Sequence, residues 1–205
     1  MFYKITKKVL DFVLSLIGLI LLSPIFLVLM ILIKKNSKGP VFFKQKRFGK
    51  NKIFFDIYKF RTMYTDTPKD MPTHMLQDPS KCITKIGVFM RKTSLDELPQ
   101  ILNILKGDMS IVGPRPALWN QDDLIAERDK YGANDIPVGL TGWAQINGRD
   151  ELPIIDKAIL DGYYVEHKST IMDMKCIFKT AFSVFKKDGV VEGGTGSLGN
   201  QEDLK

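Results

Sequence analysis

Two acids stand side by side in "TSLDELPQ", residues 93 to 100, where mutual repulsion would ordinarily keep them apart. Together, Asp96 and Glu97 could hold a divalent cation, since magnesium is satisfied by one or two carboxylates completed by phosphate oxygens. Asp96 could also be a nucleophile: with a reference pKa of about 3.9 an aspartate is ionised at neutral pH and can attack phosphorus without a general base. A glycosidase also needs two carboxylates, but they must flank a sugar about 5–9 Å apart, and neighbours on one turn are badly placed for that. The structural alternative is equally direct. Acids in the first turn of a helix interact with its dipole by about 0.3–1 kcal/mol.

A helix is expected here, from about residue 97 to 106. Leu98, Ile101, Leu102 and Leu105 recur at helical spacing and Gly107 is placed to close the C-terminus. Pro99 limits where it begins. With Asp96 as N-cap, Pro99 breaks nothing; with Ser94 capping and Glu97 completing a capping box, Pro99 removes an early helical bond. Upstream, "GPVFFKQKRFGKNKIFFDIYKFRTM" reads as a β-hairpin turning at "GKN". Alternation in its second strand places Ile53, Phe55, Ile57, Lys59 and Arg61 on one face, two cations finishing an apolar row. Downstream, "DIPVGLTGWAQINGRDELP" is a glycine-rich loop carrying Gln145, Asn147 and Arg149. The stretch from Lys157 to Lys187 is largely helical, with Ile171, Met174, Phe178, Ala181, Phe182 and Phe185 as an apolar stripe. Packing on the core is the ordinary use of such a stripe, and lying at a membrane interface is the alternative.

The chain has 205 residues and a net charge of +7, so its partners are expected to be anionic. Nucleic acid is not among them: no basic stripe is interleaved with stacking aromatics. Cys82 and Cys176 form no metal or disulfide pattern, His74 and His167 are isolated, and neither a P-loop nor a dinucleotide fingerprint occurs. From Phe12 to Ile33 there are 22 residues without a charge, about long enough to cross a bilayer. Yet Lys4, Lys7 and Lys8 precede this run and Lys34, Lys35 and Lys38 follow it, so the positive-inside tendency asks both ends to lie on one side. Ser23-Pro24 sits in the middle, where proline bends a helix and the serine hydroxyl can satisfy freed backbone. A kinked spanning helix and a re-entrant hairpin both remain, and charge symmetry favours the hairpin. Cations at 59, 61, 91, 115 and 149, the acids, and a membrane anchor together suggest handling of a phosphorylated molecule at a bilayer.

The stretches "YKFRTM", "SLDELPQILNILKGDMSIVGPRP", "GLTGWAQINGR" and "LDGYYVEHKSTIMDMK" resemble the signature blocks of the bacterial sugar transferase family. These are the small monotopic polyprenyl-phosphate phosphoglycosyl transferases that initiate capsule, O-antigen and glycoprotein glycan assembly. The likeness runs in order along nearly the whole chain. It implies transfer of sugar 1-phosphate from a UDP-sugar to undecaprenyl phosphate with release of UMP, and a requirement for Mg2+. It implies Asp96 as nucleophile and Glu97 as its partner, both at the metal. It also implies Arg91 and Arg115 as binding residues, with Lys59, Gln145, Arg149 and Asp161 assigned to the phosphates and nucleotide. The implied architecture is α+β: a re-entrant helix-break-helix anchor over 1–39, a cytoplasmic catalytic domain over 40–187 with a short hairpin and partly amphipathic helices, and a flexible tail over 188–205. The enzyme would sit on the cytoplasmic face of the inner membrane among its lipids. "PALWNQDDLI" with "NGRDEL" resembles members that handle N-acetylated 6-deoxy sugars.

Overall fold

The uncharged run lies inside one α-helix, α1, Phe2–Asn36. The computed structural model, which describes residues 2–67, 79–148 and 152–186, carries this helix through Pro24 without the break expected there. Proline at position 24 deprives the Ile20 carbonyl of its amide donor, and the Ser23 hydroxyl donates to that carbonyl at 2.7 Å instead. One lost bond, replaced locally, does not stop a helix. Among the described residues α1 is the one helix long and apolar enough to cross a membrane.

The chain divides into two compact units, Met1–Lys46 with Phe55–Met109, and Arg47–Phe54 with Ser110–Lys205. The anchor helix thus belongs to the first unit. Its buried face supplies Phe26, Leu29 and Ile33 to a core completed by Phe60 and Met90, with Leu95 and Leu98 packed against it. Phe26 meets Phe60 edge-on at 5.2 Å between centroids, and Phe42 stacks on Phe60 at 5.6 Å. The opposite face of α1 stays apolar and exposed, as at Ile20, Leu21, Leu27 and Val28.

The expected hairpin is present as β1, Phe42–Phe48, paired with β2, Phe54–Phe60. Its turn uses left-handed backbone at Asn51 and Lys52. Ile53 falls outside the strand and is exposed, whereas Ile57 is buried and Lys59 half-buried as the alternation requires. Arg61 ends the row buried, with its guanidinium donating to the carbonyls of Ser37 and Lys38. Two helices follow, α2 (Pro79–Cys82) and α3 (Lys85–Lys92).

The helix expected over 97–106 begins later, as α4, Gln100–Lys106, after a separate 3-10 turn at Leu95–Glu97. Neither Ser94 nor Asp96 caps α4; Pro99 occupies its N-cap position. Gly107 closes it as expected, with φ of 87°. Between α4 and the free edge of β2, Asn103 does what another strand would do. Its Oδ1 accepts from the Tyr58 amide at 2.9 Å and its Nδ2 donates to the Asp56 carbonyl at 2.8 Å.

In the second unit β3, Ser110–Val112, runs parallel to β4, Gly139–Thr141, a pairing the sequence reading did not find. Around it lie α5 (Asp122–Asp129), α6 (Trp143–Ile146), α7 (Ile154–His167) and α8 (Thr170–Lys186). Core packing for the α8 stripe is corrected: Ile171, Phe178 and Phe182 are exposed, and Met172 and Cys176 face the core with Val112 and Tyr164. The Thr180 hydroxyl, 2.5 Å from that of Thr141, fixes the same inward face. The expected flexible tail lies outside the described residues.

Asn103→Leu keeps the branched outline but leaves the Tyr58 amide and the Asp56 carbonyl without their partner, at a cost of about 2–4 kcal/mol. Thermal unfolding of the detergent-solubilised protein should show a clear fall in Tm, larger than for a Leu substitution at exposed Lys106.

Candidate active site

Around the acid pair the backbone bonds run three residues back: Glu97 N to Ser94 O at 3.2 Å, Leu98 N to Leu95 O at 3.3 Å, and Leu102 N to Pro99 O at 3.0 Å. Proline at 99 has no N–H to continue an α-helical ladder, and Ser94 enters the turn in left-handed backbone. With about three residues per turn, successive side chains point some 120° apart, so adjacent carboxylates diverge. Asp96 turns inward and is 9% exposed. Glu97 turns to Lys59 on β2 and accepts its ammonium at 2.7 Å, each side chain less than one-fifth exposed. Arg91, at the end of α3, donates from Nε to the Thr62 hydroxyl at 3.0 Å. That hydroxyl is steadied through its backbone, since the Thr62 carbonyl accepts from the Thr84 amide at 2.9 Å. The first unit therefore brings Lys59 and Glu97 into contact and places Asp96 in the same turn.

For a metal ion the described residues of this turn offer two carboxylates at most, and Glu97 is engaged by Lys59. No group of three or more acidic, histidine or cysteine ligands occurs among the described residues. An ion here would draw on Asp96 and Glu97 and take its remaining oxygens from phosphate and water, the arrangement magnesium favours.

In the second unit the motif glycines explain one another. A Cβ on Gly139 would lie 2.1 Å from the Gly113 amide nitrogen, and one on Gly142 would lie 2.1 Å from the Gly113 carbonyl oxygen. The "VGPRP" and "GLTGW" stretches thus cross with nothing but backbone between them, which is what lets β3 lie beside β4 and Pro114-Arg115-Pro116 double back over β4. Arg115 is half-buried there. Gln145 on α6 has both ends of its amide enclosed without a hydrogen-bond partner. Asp161 departs from the expectation of a ligand contact: it is 1% exposed, and Arg128 on α5 donates to its Oδ2 from Nη2 at 2.6 Å and from Nε at 2.8 Å. Full burial pushes the Asp161 carboxyl up, and the guanidinium pulls against it. Arg149 lies outside the described residues.

The chain matches the family model described as bacterial sugar transferase over residues 2–187. The chain belongs to the bacterial sugar transferase family. It is 40% identical over 186 residues to an uncharacterized sugar transferase, EpsL, of Bacillus subtilis (strain 168), covering 91% of this chain and 90% of that one. It is 36% identical to the UDP-glucose:undecaprenyl-phosphate glucose-1-phosphate transferase of Escherichia coli (strain K12), and 34% to the undecaprenyl-phosphate galactose phosphotransferase of Salmonella typhimurium (strain LT2). Each of these matches covers 89% of this chain, but only 40% and 41% of the relative.

Within this sugar transferase, residues that no motif singles out turn out to hold the motifs in place. Arg128 and Arg47 are single polar residues in otherwise ordinary stretches, and Asn103 lies inside the long central block without standing out there; for the arginines the only signal is that such a side chain, once buried, must find acceptors. His167 stacks on Tyr163 at 4.1 Å between centroids, an aromatic contact in keeping with a structural role.

Gly139→Ala drives a methyl into the Gly113 backbone and should cost about 3 kcal/mol. Gly107→Ala, with open space around it and only the left-handed conformation to accommodate, should cost about 1 kcal/mol. Comparing the two by thermal unfolding separates close approach from backbone preference.

Proposed function

We propose that this sugar transferase moves sugar 1-phosphate from a UDP-sugar to undecaprenyl phosphate, releasing UMP, at the cytoplasmic face of a bacterial inner membrane. The observation that carries this reading is the setting of the acid pair. Leu95 and Leu98, on either side of Asp96-Glu97, pack into the core formed by the membrane helix, while Glu97 is met by Lys59. A phosphate-handling turn bolted to an apolar anchor suits one polar and one lipid substrate. The names of the Escherichia coli and Salmonella relatives support the same substrate classes.

In this mechanism an Asp96 carboxylate oxygen bonds to the β-phosphorus as the bond from that phosphorus to the UMP oxygen breaks, and UMP leaves with the electron pair. The acceptor's phosphate oxygen then attacks the same phosphorus and Asp96 departs as a carboxylate. Both attacking groups are already anions, so no histidine base is needed. Asp96 and Glu97 would hold magnesium, which when bound supplies positive charge against the repulsion between diphosphate and nucleophile. Lys59 positions Glu97; Arg91, Arg115, Gln145 and Arg149 bind phosphates and nucleotide. Asp161 acts from within the fold. The donor sugar is set apart from this chemistry: the sequence resemblance favours an N-acetylated 6-deoxy sugar, whereas the named relatives use glucose or galactose.

Both ends of the membrane helix lie on the cytoplasmic side in this reading, which needs a bend at Ser23-Pro24 in the bilayer where α1 as described runs on. Support comes from the lysines at both ends and from packing: from Leu19 to Ile33 one face of α1 is covered by the globular part of its own unit. A segment so covered is a poor candidate to pass alone through a bilayer.

UMP release from a panel of UDP-glucose, UDP-galactose and N-acetylated 6-deoxy UDP-sugars, with and without undecaprenyl phosphate, tests the reaction. One donor should give UMP with ping-pong kinetics, and Asp96→Asn should lower turnover on the order of a thousand-fold or more. A trapped adduct mapping by mass spectrometry to any other residue would sink the assignment of Asp96. For topology, single cysteines at positions 4 and 38 in a variant without native thiols should both resist an impermeant reagent in intact cells; labelling of either from outside replaces the hairpin by a spanning helix.

A further inference from the structure

Four consecutive carbonyls, those of Pro114-Arg115-Pro116 and of Ala117, are each taken by a donor from elsewhere in the chain. Pro114 O accepts from the Gly139 amide at 2.8 Å, Arg115 O from Arg128 Nη1 at 2.9 Å, Pro116 O from Arg47 Nη1 at 3.1 Å, and Ala117 O from the Phe48 amide at 3.0 Å. Prolines on both sides of Arg115 fix φ as well. A loop held this completely has little left to lose when a ligand orders its side chain.

Arg128 is the unusual member of this set. It is 3% exposed and anchored on Asp161 by two of its nitrogens, leaving the third for the Arg115 carbonyl. A buried ion pair is weak evidence of a stabilising role, because a well-packed apolar pair often serves as well or better. An apolar pair could not donate to the Arg115 carbonyl. The neighbouring acid, Asp129, does not compete for the guanidinium, being engaged by Asn134 at 2.7 Å and Lys52 at 3.0 Å.

We propose that Arg128, locked by Asp161, is a positioning residue that sets the backbone from which Arg115 reaches the donor's diphosphate. This rests on the reading of Arg115 as a phosphate-binding residue. Arg47 completes the same clamp from the hairpin side. The fork matters as much as the charge, since a lysine at 128 can meet the carboxylate or the carbonyl but lacks the planar set of donors that meets both.

The test uses the full chain in detergent, with UDP as probe in calorimetric titration and hydrogen exchange as the structural readout. Arg115→Ala should weaken UDP binding; Arg128→Met should weaken it by about 10- to 100-fold through misplacement alone. The double variant should bind no more weakly than Arg115→Ala. The amides of Arg115 and Ala117 should exchange faster in Arg128→Met, with exchange in α8 unchanged. Where Arg128→Met does not fold, Arg128→Lys carries the same comparison. Undiminished UDP binding by Arg115→Ala overturns the phosphate reading itself. Weakened binding by Arg115→Ala, with affinity and exchange both unmoved by the substitution at 128, overturns the positioning role while leaving that reading intact. A full additive loss in the double variant likewise overturns it.

Discussion

A buried peptide group outside a helix or sheet still needs a hydrogen-bond partner, and the two sheets of two strands each among the described residues leave many such groups. Side chains supply the partners. Asn103 completes the open edge of β2, Arg61 holds the carbonyls of Ser37 and Lys38 where the chain leaves the membrane helix, and Arg128 and Arg47 hold those of Arg115 and Pro116. Ser23 plays the same part inside α1, taking the carbonyl that Pro24 leaves unpaired. Three of these five are arginines, whose fork can satisfy several acceptors at once. The positive charge of the chain is therefore partly structural: some cations that look available for ligands are spent on backbone.

The same economy of local geometry resolves the crowding of Asp96 and Glu97. An α-helical first turn would already turn neighbouring side chains about 100° apart, and the 3-10 turn widens this to about 120°. The 3-10 turn ahead of Pro99 separates them, one into the protein and one toward Lys59, without any residue between. Lys59 is thereby drawn into holding an acid, and its ammonium still has donors to spare, since it carries three and Glu97 takes one.

What could be read from the sequence was whatever depends on a contiguous pattern. The membrane run, the hairpin and the Gly107 stop are local, and all appear. The start of α4 was misplaced because both caps weighed against Pro99 assumed one continuous helix, whereas left-handed backbone at Ser94 leads into a separate 3-10 turn that no residue type there signals. The stripe on α8 was real, but periodicity shows that a helix has an apolar face and not which neighbour covers it; Cys176 and Met172 on the other side won the core. The β3–β4 pair was hidden by its brevity and by glycines that carry no hydrophobic signal, although those glycines are the reason it can form. At the site, the acids and Arg115 stood out by motif, while Arg128 did not, because its importance lies in two partners 13 and 33 residues away.

The acid turn also ties chemistry to the bilayer through packing rather than through a tether. Leu95 and Leu98 are contiguous in sequence with the acids and contiguous in space with Phe26, Leu29 and Ile33 of the anchor. One face of α1 is thus covered by the unit that carries the acids, and its other face, apolar through the middle of the helix and exposed among the described residues, is suited to lipid. Transferring that second face from water into lipid is worth about 25 cal/mol for each Å² removed, a driving force that acts on the whole rigid cluster. The depth at which the helix settles therefore also sets the depth of Asp96 and Glu97, whose flanking leucines share its core.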